Sequence, residues 1–65
     1  MIDRPNKDIL KAVRAEQGLT QQEAAERAMI STRSWIKYES GERNMMPAPW
    51  VLFQLRSNLI KLEDI

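Results

Sequence analysis

The sequence predicts an all-α domain of four to five short helices. Apolar residues recur at helical spacing in several segments, helix-capping residue types precede them, and glycine follows two of them. The chain has 65 residues, and a domain of that size buries only roughly 60% of its unfolded surface. We therefore expect a single domain over residues 1–65, stabilised by helix packing and by association of two chains.

The composition excludes several classes of site. Cys and His are absent, so the chain offers neither a disulfide nor the usual ligands of a zinc site. The carboxylates fall on what the pattern predicts to be solvated helix faces, which favours a protein that is not an enzyme and has no cofactor. The chain shows neither a charged-then-apolar leader nor an apolar run near 18 residues, so we expect a cytoplasmic, non-membrane protein.

The first helix is predicted from about residue 7 to 17. Asn6 is a suitable N-cap, and Gly18 stands where a left-handed residue ends a helix. Three apolar residues recur at helical spacing behind the cap: Ile9, Leu10 and Val13. Three basic residues are expected to be solvated on the other faces: Lys7, Lys11 and Arg14.

The second helix is predicted over residues 21–28. Thr20 and Glu23 have the spacing of a capping box, in which each side chain hydrogen-bonds the backbone amide of the other residue. Three small residues then share one face and allow another helix to approach closely: Ala24, Ala25 and Ala28.

The third helix is predicted over residues 32–39, between the cap Ser31 and the stop Gly41. Trp35 and Tyr38 lie three residues apart, so they share a face that can pack on the alanines. The opposite face carries a mixed set of polar, basic and apolar side chains: Thr32, Arg33, Ile36 and Lys37.

The C-terminal segment, residues 47–65, is expected to cover the core and to supply a dimer interface. Pro47 and Pro49 mark a helix start, and residues 56–58 are a possible break into two helices. The segment is apolar on more than one face, so core and interface draw on one pool of residues: Trp50, Phe53, Leu59, Ile60, Leu62 and Ile65.

Two short helices joined by a short turn, at about residues 20–40, predict a helix-turn-helix. The run LTQQEAAERAMISTRSWIKYESGER resembles the Cro/lambda-repressor-type (XRE) family. The residues that carry the resemblance are Leu19, Thr20, Gln21, Ala25, Ile30, Ser31, Trp35, Tyr38, Glu39, Gly41 and Arg43. The resemblance implies a compact lambda-repressor-like domain that binds double-stranded DNA as a homodimer on a palindromic operator.

The resemblance also implies roles for individual residues. The third helix would enter the major groove, with base contacts from Thr32, Arg33, Ile36 and Lys37. The expected phosphate contacts are Gln21, Gln22, Ser31, Ser34, Ser40, Arg43 and Asn44. The implied function is transcriptional repression of its own or a neighbouring operon, in a bacterial or phage-infected cell, without a small-molecule effector.

Three questions stay open at this stage: the kind of partner, the conformation of Met29 and the role of Glu39. An antitoxin or adaptor could use the same fold to bind a partner protein through its apolar C-terminal segment. Met29 occupies the turn position where the family usually has glycine, so either Met29 is strained or the turn has another shape. Glu39 is expected to hold the helix end or to pair with a basic residue.

Overall fold

The computed structural model describes residues 4–64 and contains four α-helices and no strand in that range. The elements, in chain order, are α1 (Lys7–Glu16), α2 (Gln21–Ala28), α3 (Thr32–Ser40), α4 (Pro47–Arg56) and a 3-10 turn (Leu62–Asp64). The first three helices lie within one residue of their predicted bounds, so the all-α prediction is confirmed. Within the described range, no helix has the length and apolarity needed to cross a membrane.

The predicted caps form because each satisfies backbone amides that a helix start leaves without a partner. The Asn6 side chain accepts a hydrogen bond from the amide of Ile9 at 2.8 Å. In the capping box, Thr20 Oγ1 accepts from the amide of Glu23 at 3.1 Å, and the Glu23 carboxylate accepts from the amide of Thr20 at 2.9 Å. The hydrogen bond from the Thr20 backbone lowers the pKa of Glu23.

The turn between α2 and α3 settles the question that Met29 raises. Met29 has φ 58° and ψ 42°, so this non-glycine residue adopts the left-handed conformation, and its side chain is 70% exposed. The conformation lets the amide of Ile30 donate to the carbonyl of Ala25 at 3.0 Å, which closes the end of α2. Met29 is therefore strained, and little packing of its side chain offsets the strain.

The core lies where α2 packs against α3 and α4. The three alanines of α2 are fully buried, as predicted, and they bring the helices close. Trp35 from α3 and Phe53 from α4 have no exposed surface, and their ring centroids lie 5.3 Å apart. Trp50 stacks on Phe53 at 5.7 Å, which completes an aromatic cluster across two helices.

The position of α4 divides the C-terminal apolar pool. Trp50 and Phe53 lie in the core of the monomer, so they are not surface residues available to a second chain. Leu59 and Leu62 are 41% and 78% exposed, and Ile60 is half-buried. Ile65 lies outside the described residues.

The predicted break after α4 occurs at residues 57–58. The α4 helix ends at Arg56, and Asn58 adopts a left-handed conformation with φ 58°. Two arginines fix this end of α4 on α2: Arg56 donates to the carbonyl of Glu26 at 2.8 Å, and Arg27 donates to the buried Ser57 hydroxyl at 2.9 Å.

Candidate nucleic-acid interface

The outer face of α3 presents the four residues that the sequence predicts as base contacts. Arg33 and Ile36 are exposed, and 45% of the Ile36 surface is in contact with solvent. Thr32 and Lys37 are partly exposed beside them. The face exists because Trp35 points into the core, which turns the residues on either side of it outward.

The N-terminal end of α2 lies beside this face. Gln21, on α2, and Ile36, on α3, line one open depression of about 240 Å³. Its other lining residues are Lys11, Glu39 and Ser40. Gln22 is exposed at the same end of α2. The first turn of α2 has amides without helical partners and the positive end of the helix dipole, an arrangement that favours an anion.

The predicted serine contacts are already engaged in helix capping. Ser31 Oγ accepts from the amide of Ser34 at 3.1 Å and donates to the Ser34 hydroxyl at 2.9 Å. Ser40 Oγ donates to the carbonyl of Lys37 at 2.9 Å and accepts from the amide of Glu42 at 3.3 Å. The hydroxyl of Ser34 can still donate, whereas Ser31 and Ser40 would have to break a bond in order to donate to a phosphate.

The loop after α3 carries two further predicted contacts in exposed positions. Gly41 ends the helix with φ 83°, and the amide of Arg43 donates to the carbonyl of Lys37 at 3.3 Å. The side chains of Arg43 and Asn44 are both exposed. The loop therefore follows α3 directly and offers one cation and one amide to solvent.

A partly buried ion pair fixes α3 to α1, and the prediction that Arg14 is solvated is wrong. Arg14 Nε donates to Glu39 Oε2 at 2.6 Å and Arg14 Nη2 donates to Glu39 Oε1 at 3.1 Å, a bidentate pair. The side chains of Arg14 and Glu39 are 25% and 4% exposed. The alternative that Glu39 pairs with a basic residue is confirmed, and its carboxylate is not on a solvated face.

Two more hydrogen bonds extend this pair into the rest of the motif. Arg14 Nη1 donates to the carbonyl of Leu19 at 3.0 Å, just before the cap of α2. The indole of Trp35 donates to the Glu39 carboxylate. Arg14 therefore connects α1, the start of α2 and the inner face of α3, and sets the position of the outer face.

The pKa of Glu39 reflects opposing influences. Burial has the largest single effect and by itself raises the pKa, but the hydrogen bonds from Arg14, Trp35 and Gln21 and the positive charge of Arg14 together outweigh it. The net pKa of Glu39 is lowered, so the carboxylate is ionised at neutral pH. The same hydrogen bond to Glu39 raises the pKa of Arg14.

One sequence signal could have identified this pair. Glu39 follows Trp35 by four residues, which places both on the same face of a helix. If Trp35 is in the core, Glu39 is buried with it, and a buried carboxylate requires a cation. The choice of Arg14, 25 residues away, depends on how α1 packs and has no local signal.

The pair also changes the charge of the surface. The buried carboxylate of Glu39 is paired with Arg14, so it does not reduce the positive charge of the outer face. Glu42 remains exposed beside that face. The exposed face thus combines three cationic residues, Arg33, Lys37 and Arg43, with one nearby carboxylate.

Comparison with known proteins agrees with this geometry. A family model described as a helix-turn-helix domain matches residues 8–53, most of the chain. The chain is also 38% identical over 47 residues to the type II methyltransferase M.MspI of Moraxella sp. That alignment covers 72% of this chain but only 11% of the methyltransferase. The resemblance stated from the motif is confirmed: the chain belongs to the XRE-type helix-turn-helix domain family and is a DNA-binding helix-turn-helix domain.

Proposed function

We propose that this domain is a sequence-specific transcriptional repressor that binds a palindromic operator as a homodimer, with α3 in the major groove. It would act on its own or a neighbouring operon in the cytoplasm of a bacterial or phage-infected cell. The observation that carries the proposal is the outer face of α3, where Arg33 and Ile36 are exposed and Ile36 lies beside Gln21 at the N-terminal end of α2. In a helix-turn-helix the second helix reads bases while the first crosses the backbone.

The side chains on α3 suit the edges of base pairs. The guanidinium of Arg33 matches guanine O6 and N7, a pair worth about 1–3 kcal/mol of discrimination. Lys37 can bind a guanine or a phosphate, and Thr32 and Ile36 can contact a thymine methyl group. This last contact accounts for an isoleucine that is 45% exposed between two cations.

Phosphate contacts would come from both sides of α3. Gln21 and Gln22 lie at the N-terminal end of α2, and Arg43 and Asn44 lie in the loop after α3. Such contacts set the register and the affinity but carry no direct sequence information. With a net charge of only +1, we expect modest affinity for random DNA and a marked dependence on salt.

The dimer proposal is supported by the apolar surface that α4 leaves uncovered. Leu59 and Leu62 are exposed, and Ile60 is half-buried next to them in sequence. Two copies related by a twofold axis would read half-sites about 34 Å apart, one helical turn of DNA. The same surface supports the alternative that an antitoxin or adaptor holds a partner protein there.

The methyltransferase relative indicates that a helix-turn-helix of this kind also occurs as part of a much longer chain. The shared region is 47 residues long and amounts to 11% of that protein. Catalytic activity does not form part of our proposal, because the features on which the proposal rests are those of the DNA-binding motif.

Selection of bound duplexes from a random DNA pool tests the proposed function. We expect enrichment of an inverted repeat whose half-sites are centred about one helical turn apart. Enrichment of a single half-site would refute the symmetric dimer. Recovery of no preferred sequence would refute sequence-specific repression and favour the partner-binding alternative.

A further inference from the structure

We propose that Lys7 and Lys11 of α1 bind the phosphate backbone of double-stranded DNA and extend the interface beyond the helix-turn-helix. This inference rests on the proposed function, since it requires α3 to lie in the major groove. The sequence predicts these lysines to be merely solvated, and both are indeed exposed. Their surroundings give them a more specific role.

Lys11 lies between the two parts of the candidate interface. It lines the same depression as Gln21 at the start of α2, Ile36 on the outer face of α3, and Ser40 near its end. A duplex that contacts both Gln21 and Ile36 must pass over this depression. The ammonium of Lys11 would then face the DNA backbone, where a long flexible cation suits a phosphate.

Lys7 lies one turn earlier on the same face of α1 and continues the surface toward the loop after α3. A Cβ atom placed on Gly41 would lie 3.0 Å from Cδ of Lys7 and 3.8 Å from its Nζ. The stem of Lys7 therefore crosses the end of α3, next to the loop that carries Arg43. The two lysines bridge the predicted phosphate contacts at Gln21 with those at Arg43.

The local charges leave both lysines available to an external anion. Among the described residues, neither lysine forms a salt bridge, and the carboxylate nearest to Lys11 in the depression, Glu39, is paired with Arg14. Asp8 and Glu16 of α1 are not among the residues that line the depression. Lys7, Lys11 and Arg14 are four and three residues apart, so they lie on the same face of α1. The ion pair between Arg14 and Glu39 therefore also holds the two lysines close to α3.

Salt dependence of DNA binding separates this role from a purely structural one. Lys7 could instead serve only to stabilise the C-terminal end of α3. A stabilising role would change the melting temperature, whereas a phosphate contact changes the slope of log K against log salt. Each phosphate neutralised contributes about 0.9 to that slope for B-DNA.

The experiment compares the wild-type chain with Lys7→Gln, Lys11→Gln and the double variant, on a fluorescent duplex taken from the random-pool selection and on a random-sequence duplex. Lys61→Gln is the matched control, because it removes the same charge from the segment after α4, which lines no part of the depression. Glutamine and lysine have similar helix propensities, and circular dichroism verifies that the variants are folded.

We expect the magnitude of the slope to fall by about 0.9 for each lysine removed, on both duplexes, and to stay near the wild-type value in Lys61→Gln. If the wild type binds DNA but the Lys7 and Lys11 variants have the same slope as the Lys61 control, the proposed role of the two lysines is refuted. The proposed function would be unaffected by that result. Absence of wild-type binding to either duplex would overturn the proposed function and this extension together. If Lys7→Gln is unfolded, the result for Lys11→Gln decides.

Discussion

Replacement of Arg14 with methionine should destabilise the domain severely at neutral pH. The side chain of Glu39 is only 4% exposed, so the variant leaves an ionised carboxylate buried without its cation. Removing one partner of a fully buried ion pair costs about 3–5 kcal/mol, and because Arg14 is 25% exposed we expect a loss near the lower end of that range. A chain of 65 residues has a total stability of roughly 3–10 kcal/mol, so this change can unfold much of the population.

The pH dependence of the effect follows from the pKa of Glu39. In the wild type that pKa is lowered, so the stabilisation is fully present above the ordinary glutamate pKa of about 4.3 and is lost as the pH falls through the lowered value. Without Arg14, only the hydrogen bonds from Trp35 and Gln21 oppose the effect of burial, so we expect the pKa of Glu39 to rise. The variant is then least stable at neutral pH and regains stability as the pH falls. The difference between the two proteins should therefore narrow toward about pH 4.

Urea denaturation followed by circular dichroism, at neutral pH and near about pH 4, measures this difference. Arg33→Met is the matched control, because it removes the same side chain from the exposed face of α3. Glu39→Gln provides a second comparison: the amide oxygen can still accept from the indole of Trp35, and the charge left without its partner, that of Arg14, is on a side chain that is 25% exposed and so partly hydrated. We expect a smaller loss for Glu39→Gln than for Arg14→Met.

Two results would refute this reasoning. The first is a change within about 0.5 kcal/mol for Arg14→Met at neutral pH, the range of an ordinary surface substitution. The second is a difference in the free energy of unfolding between wild type and Arg14→Met that grows as the pH falls. That result would mean that the loss of stability does not come from the unpaired Glu39 carboxylate.

Four further predictions concern single substitutions. Met29→Gly should raise the free energy of unfolding by up to about 1 kcal/mol, because glycine adopts the left-handed conformation without strain; a lower melting temperature would contradict this. Thr20→Ala should lower the free energy of unfolding by about 1 kcal/mol in thermal melts, through loss of the capping box, and an unchanged melt would count against it. Arg33→Ala should reduce affinity for the selected operator but hardly for random DNA, whereas Gln21→Ala should weaken both; electrophoretic shift titrations distinguish these outcomes. Leu62→Glu should abolish the proposed dimer in light scattering without unfolding a monomer in which that residue is 78% exposed, and a persistent dimer would exclude Leu62 from the interface.

The local structure of the chain follows closely from its sequence. Asn6, Thr20 and Ser31 begin helices and Gly41 ends one, because each acts on backbone groups only a few residues away. The inward direction of Trp35 also follows from helical spacing once the alanine face of α2 is identified. The family and its motif were predictable for the same reason, since their signature consists of residue types at fixed short spacings.

The apolar residues of the C-terminal segment show what a local sequence pattern does not predict, namely which of them are in the core and which are on the surface. Trp50, Phe53, Leu59 and Leu62 all have the hydrophobicity of core residues, and spacing alone assigns each of them to the core or to an interface equally well. The difference arises because α4 lies across α2 and ends at Arg56, which buries Trp50 and Phe53 and leaves the later leucines outside. That orientation depends on how all the side chains between α2 and α4 pack together.

The sequence by itself determined where the first three helices begin and end, which face of α3 is exposed to solvent, and that Met29 stands where glycine is expected. Tertiary structure alone decided that Arg14 pairs with Glu39 and that Lys11 lies beside the outer face of α3. Caps and periodicity act over three or four residues, whereas these contacts join α1 to elements more than a dozen residues away. They form only when packing of the aromatic core has fixed the helices relative to one another.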